Sequence, residues 1–135
     1  MVIEQQITGA IIAGIKELYG AEVSVSQIQL QKTKKEFKGH LTLVVFPFLR
    51  ASKKSPEQTA QEIGEYLHKN EPAIAEFNVI KGFLNLTVAG PCWIDLLNTV
   101  NAQPSYGIIP VTEQSPLVMI EYSSPNTNKP LHLGH

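Results

Sequence analysis

His132 and His135 stand three residues apart around Leu133 and Gly134. On a helix this spacing puts both imidazoles on one face. Two ring N–H donors aimed at one point suit negative charge developing on a phosphoryl group. The same pair read as metal ligands falls short. Zinc takes three or four ligands, and only His40 and His68 remain among the histidines. No protein-bound metal is therefore expected. Gly134 leaves room for a flat base against the backbone.

The surrounding residues give the pair a setting. "LVMIEY" (117–122) is a nearly continuous apolar run, as in a parallel strand buried on both faces. "SSPNTNKP" (123–130) is a Pro-bounded loop, and residues 131–135 read as the first turn of a helix. In doubly wound folds ligands lie beyond the carboxyl ends of strands, at helix N-termini that favour phosphate. A single helical turn is below the nucleation length, so the chain reads as a fragment of a longer protein.

The preceding hundred residues form a different pattern. Ile3, Ile7, Ile11, Ile15 and Leu18 share a helical face, and Gly20 is a stop signal. Residues 26–33 and 40–48 alternate as strands, with Pro47 closing the second. Ser55, Pro56 and Gln58 make a capping box for a helix over 55–69, whose buried stripe is Ala60, Ile63 and Leu67. Strands follow at 75–81 and 83–89, meeting at Gly82. A helix over 91–100 turns Trp93, Leu96, Leu97 and Val100 inward. Residues 101–116 hold three prolines and read as linker. The order predicts an α+β, two-layer domain of about four antiparallel strands with helices on one face, over residues 1–101. A linker at 102–116 leads to the first strand and helix start of a truncated Rossmann-like domain at 117–135.

Charge is unevenly spread. The net charge is −1, yet residues 32–54 carry seven of the 11 basic residues against Glu36 alone, a local +6. Lys34, Lys35, Lys53 and Lys54 belong to this stretch. It is either a nucleic-acid footprint or a solvated surface. Alternation in 83–89 turns Leu84, Leu86 and Val88 toward the helices and Phe83, Asn85 and Thr87 away. Phe83 with Asn85 is either a platform that stacks and reads a base, or a ring packed under a loop. Cys92 is the only cysteine, so no intrachain disulfide forms. No apolar run approaches the roughly 20 residues that cross a bilayer. Glu4, Gln5 and Gln6 follow Met1, which is no secretory signal. A cytoplasmic location without membrane contact is expected.

"HLGH" resembles the HIGH signature of class I aminoacyl-tRNA synthetases. "EYSSPNTNKPLHLGH" resembles that region of the arginyl-tRNA synthetase family in particular. "EFKGHLTLVVFPFLRASKKSP" and "KGFLNLTV" resemble the amino-terminal additional domain of the same family. The resemblance implies an arginine–tRNA ligase that takes L-arginine, ATP with Mg2+, and tRNA(Arg), and that is monomeric at full length. It implies that His132 and His135 are catalytic and contact ATP, with Gly134 under adenine and Lys129 near the phosphates. Ser124, Asn126 and His135 would hold the α-amino end of arginine, and Glu121 its guanidinium. Lys34, Lys35, Lys53, Lys54, Phe83 and Asn85 would contact tRNA. Alone, the 135 residues are expected to be catalytically inactive. Two alternatives stand beside this: a non-catalytic RNA-binding module, or another nucleotidyl transferase with an H-x-G-H helix.

Overall fold

The computed structural model describes residues 2–122, 125, 127–130, 132 and 133. The chain divides into two compact units, Met1–Pro104 and Ser105–His135.

The first unit opens with helix α1 (Val2–Tyr19), which buries Ile3, Ile7, Ile11 and Ile15. The 3.6-residue period stacks these side chains on one face. Leu18, expected on that stripe, is exposed. Gly20 ends the helix in the left-handed region, φ +64°, and its N–H donates to Lys16 O at 2.9 Å. Strand β1 (Leu30–Lys32) is shorter than the 26–33 alternation predicts. Residues Val25–Gln27 form a 3-10 turn instead, where the Gln27 side chain accepts from Ser24 N–H at 2.9 Å. That local bond competes with ladder pairing. Strand β2 (Leu41–Val44) likewise stops before Pro47, which has no N–H for a ladder. Phe46–Phe48 turn as 3-10 and a short helix α2 (Leu49–Ser52) follows, burying Phe48.

Helix α3 (Pro56–Asn70) starts where the capping box predicts. Ser55 Oγ accepts from Gln58 N–H at 3.2 Å. It buries Thr59, Ala60, Ile63, Gly64 and Leu67. Strands β3 (Ile74–Ile80) and β4 (Phe83–Val88) form a hairpin through Lys81 (φ +49°) and Gly82 (φ +77°). Two positive φ values define a turn whose twist matches the strands. A Cβ on Gly82 would also lie 2.6 Å from Pro56 Cβ, so the turn approaches the start of α3 too closely for a side chain. Helix α4 (Gly90–Ala102) ends the unit.

The sheet is antiparallel in the order β1-β2-β4-β3. Leu41, Leu43, Leu84, Leu86 and Val88 bury against α1 and α3, the single core of the unit. Each such side chain contributes about 1.5–3 kcal/mol on burial. Gly14 of α1 admits the Tyr66 ring and Gly64 of α3 admits Phe77, so small residues set where these layers approach.

The expected inward face of α4 needs correction. Cys92 and Leu96 pack against the core, but Trp93, Leu97 and Val100 are exposed. Residues 117–122 carry no strand; Leu117, Val118, Met119 and Ile120 are exposed. An apolar run becomes a strand only when another strand supplies its hydrogen bonds, and the sheet of the first unit contains none of these residues. The helix start read over 131–135 falls largely outside the described residues. Among the described residues no helix is long and apolar enough to cross a membrane.

Candidate functional site

The face of the sheet away from the helices carries a row of polar residues in register: Gln31, Thr42, Asn85 and Asn78, one from each strand. Thr42, Asn85 and Asn78 are joined by side-chain hydrogen bonds. Thr42 Oγ1 donates to Asn85 Oδ1 at 2.6 Å and lies 3.0 Å from the Thr33 hydroxyl. Asn85 Nδ2 donates to Asn78 Oδ1 at 3.0 Å, and Asn78 Nδ2 donates to Lys38 O at 2.7 Å. The chain of bonds ties the loop 33–40 across the sheet to β3. A Lys38–Glu76 ion pair adds a second tie and holds the Glu76 carboxyl below the usual carboxylate range. Gly39, at φ +140°, keeps this loop close: a Cβ there would meet Asn85 Cβ and Thr33 Oγ1 at 3.2 Å.

Beside this row is a groove of about 330 Å³. Phe37 and Phe83 line it together with Lys32, Lys34 and Lys81, and Glu36 is the one acid in the lining. Phe46 meets Phe83 edge to face, ring centroids 5.6 Å apart, which fixes the Phe83 ring from one side. Three ammonium groups around two aromatic rings attract a polyanion and offer surfaces on which bases stack.

The expected contact residues are distributed unevenly. Phe83 and Lys34 line the groove, and Lys35 is exposed in the turn that follows Lys34. Asn85 is on the predicted face but is only 1% exposed, its amide engaged with Thr42 and Asn78. It is therefore part of the groove's floor rather than an open reading head, because loop 33–40 covers the row that alternation alone leaves bare. Lys53 and Lys54 are not in the groove lining. Lys53 is the left-handed residue ending α2, φ +54°. Lys54 ion-pairs with Glu62 of α3, whose other oxygen accepts from Tyr19 Oη at 2.7 Å. The Lys54 bond and then the Tyr19 bond hold the Glu62 carboxyl below its ordinary range. Burial, followed by this carboxylate, pushes the Tyr19 phenol well above its ordinary value. Phe37 and Lys81 join the groove without any expectation from composition or alternation. Lys81 is legible as the first residue of a Lys-Gly hairpin turn, whereas Phe37 needs the fold of the 33–40 loop.

In the second unit, Glu121, Lys129 and His132 are exposed. Ser124, Asn126, Gly134 and His135 lie outside the described residues. No group of three or more His, Cys, Asp or Glu able to hold a metal is present among the described residues.

The family model described as "Arginyl tRNA synthetase N terminal domain" matches residues 5–88. The chain is 90% identical over all 135 residues to the arginine–tRNA ligase of Parabacteroides distasonis, covering 23% of that protein. It is 70% identical over the same span to that of Bacteroides fragilis strain YCH46, again covering 23%. Among solved structures, Thermus thermophilus arginyl-tRNA synthetase matches with a TM-score of 0.57 and 26% identity, over 97% of this chain and 20% of that one. The chain thus spans under a quarter of the length of these curated relatives.

Proposed function

The chain belongs to the arginyl-tRNA synthetase N-terminal domain family, and from that premise we propose that it is the tRNA-contacting part and first catalytic motif of an arginine–tRNA ligase. The observation that carries the reading is 90% identity over all 135 residues with an arginine–tRNA ligase, a matched span that runs through the HLGH motif. The groove supports it with a charge pattern suited to a nucleic acid: three lysines and two aromatic rings lining one groove.

The proposed reaction has two steps. The carboxylate of L-arginine attacks the α-phosphate of ATP, which enters with Mg2+, and pyrophosphate leaves. The terminal ribose hydroxyl of tRNA(Arg) then takes the arginyl group from the adenylate, releasing AMP. His132 and His135 donate hydrogen bonds to the phosphoryl oxygens as charge builds. Gly134 lies under adenine, and Lys129 neutralises the departing phosphates. Ser124 and Asn126, with His135, hold the α-amino group. Glu121 pairs with the guanidinium, a geometry that suits two parallel N–H···O bonds. In this reading residues 117–135 belong to the start of the nucleotide-binding domain, and the exposed apolar run 117–122 would become a strand only beside the other strands of that domain in the longer ligase. The 135 residues alone act as an RNA-binding module without catalysis.

The test uses a polypeptide of the relatives' full length. His132→Ala and His135→Ala each slow arginine-dependent pyrophosphate–ATP exchange, measured with tRNA present, by roughly 10²–10³-fold. The melting temperature stays unchanged. Asn126→Ala raises the KM for arginine. Unchanged exchange in all three variants defeats the assignment.

A further inference from the structure

Helix α4 is apolar on two sides. Cys92 and Leu96 pack toward the core and, with Thr99, border a cleft shared with Val2, Ile3 and Gln6 of α1. On the rest of its surface Trp93 is 36% exposed, Ile94 60%, Leu97 65% and Val100 37%. Trp93, Leu97 and Val100 follow the i, i+4, i+7 spacing of one helical stripe, with Ile94 beside it. Asp95 is the only charged residue of the 13 in the helix. A helix that faces water on one side carries polar and charged residues there, and one that is apolar around most of its circumference is covered on both sides. Trp93 is also held in place before any partner arrives. The His40 ring meets it edge-on with centroids 5.3 Å apart, and His40 Nδ1 accepts from Val88 N–H at 3.0 Å. A pre-positioned Trp is a low-entropy anchor for an interface.

We propose that the outer stripe of α4 is a docking face for the polypeptide beyond residue 135, an apolar patch of the catalytic body to which this domain is joined. The inference rests on the reading of the chain as part of a longer ligase. Two observations favour this occupant over a second copy. More than three quarters of each matched relative's length lies outside the span shared with this chain. The stripe is also small: four side chains are far below the roughly 20–30 residues a side of a stable dimer. A tethered partner needs less, because the covalent link replaces most of the cost of association.

The experiment labels exposed side chains with a photogenerated carbene, in this 135-residue chain and in a polypeptide of the relatives' full length. Ile94 and Leu97 are labelled in the short chain and fall to background in the long one. Leu97→Glu restores labelling of Ile94 in the long polypeptide and leaves the melting temperature of the short chain unchanged. Equal labelling at both lengths overturns the proposal. So does a short chain that sediments as a dimer and becomes monomeric with Leu97→Glu. Arginine-dependent pyrophosphate–ATP exchange is run on the same long sample. Full exchange with an open stripe defeats the docking face alone, whereas a protected stripe without exchange upholds docking and defeats the catalytic reading.

Discussion

Phe83–Val88 and Leu117–Tyr122 are both six-residue stretches rich in branched apolar side chains, yet Leu84, Leu86 and Val88 are buried while Leu117, Val118, Met119 and Ile120 are exposed. Composition does not separate them. β4 is hydrogen-bonded on both edges, to β2 and to β3, and its inner face meets α1 and α3. Residues 117–122 have no such neighbours in the sheet. Burial belongs to an assembly of elements, and an apolar segment without its assembly keeps its surface in water.

The strongest way to break this comparison is to delete matched methyl groups in the two segments. Leu84→Ala removes a fully buried side chain from the core and is expected to cost about 2–5 kcal/mol in urea unfolding. Ile120→Ala is expected to stay within about 0.5 kcal/mol, as exposed positions do. Comparable losses would mean that 117–122 is packed after all.

The two faces of β4 can be separated next. Asn85→Ala leaves Thr42 and Asn78 without their partner and is expected to cost about 1–3 kcal/mol of stability. Asn85→Asp, which cannot donate to Asn78 Oδ1, does not restore it. A variant with native stability and altered RNA preference would return Asn85 to the role of base reader. Phe83→Ala is expected to weaken tRNA binding by about 1–3 kcal/mol with little change in salt dependence. Lys34→Ala and Lys81→Ala are each expected to flatten the log–log salt slope by about 0.7–0.9. Stability and binding are measured on one Phe83→Ala sample; a lower melting temperature with intact binding makes Phe83 a packing residue.

The smallest effect concerns the helix layer. Glu62 titrates below its ordinary range in the folded chain because Lys54 and Tyr19 favour the carboxylate. Its contribution is therefore complete above the ordinary carboxylate pKa and is lost as pH falls through the lower, folded value. Both partners are substantially exposed, so Glu62→Gln is expected to cost about 0–1 kcal/mol at neutral pH. Melting curves of the two proteins should converge in acid. A constant gap across the acid range would show that the ion pair is not its cause.

The legibility of the chain follows the range of the interactions involved. α3 was readable because Ser55, Pro56 and Gln58 cap it through bonds three residues long. The hairpin was readable because Gly82 permits a backbone that few residues adopt. β1 and β2 were overextended because Ser24–Gln27 and Pro47 divert the chain by short-range rules that alternation ignores. The groove is only half visible in the sequence: Phe83 and Lys34 follow from alternation and basic clustering, Phe37 and Lys81 do not, and Lys53 and Lys54 lie outside its lining.

By itself the sequence determined the order of the four strands and of helices α1, α3 and α4, the face of β4 that packs, the basic excess over 32–54 and the H-x-G-H pattern. All of these are properties of spacing along one chain. Only the tertiary structure decided that Asn85 is floor rather than reading head, since that depends on loop 33–40 crossing the sheet and on Asn78 meeting it from another strand. Only it decided which lysines share a groove with Phe83, and that the second apolar stripe of α4 is uncovered. Each of these depends on residues distant in sequence, whose approach is set by packing of the whole sheet and helix layer and not by any local preference.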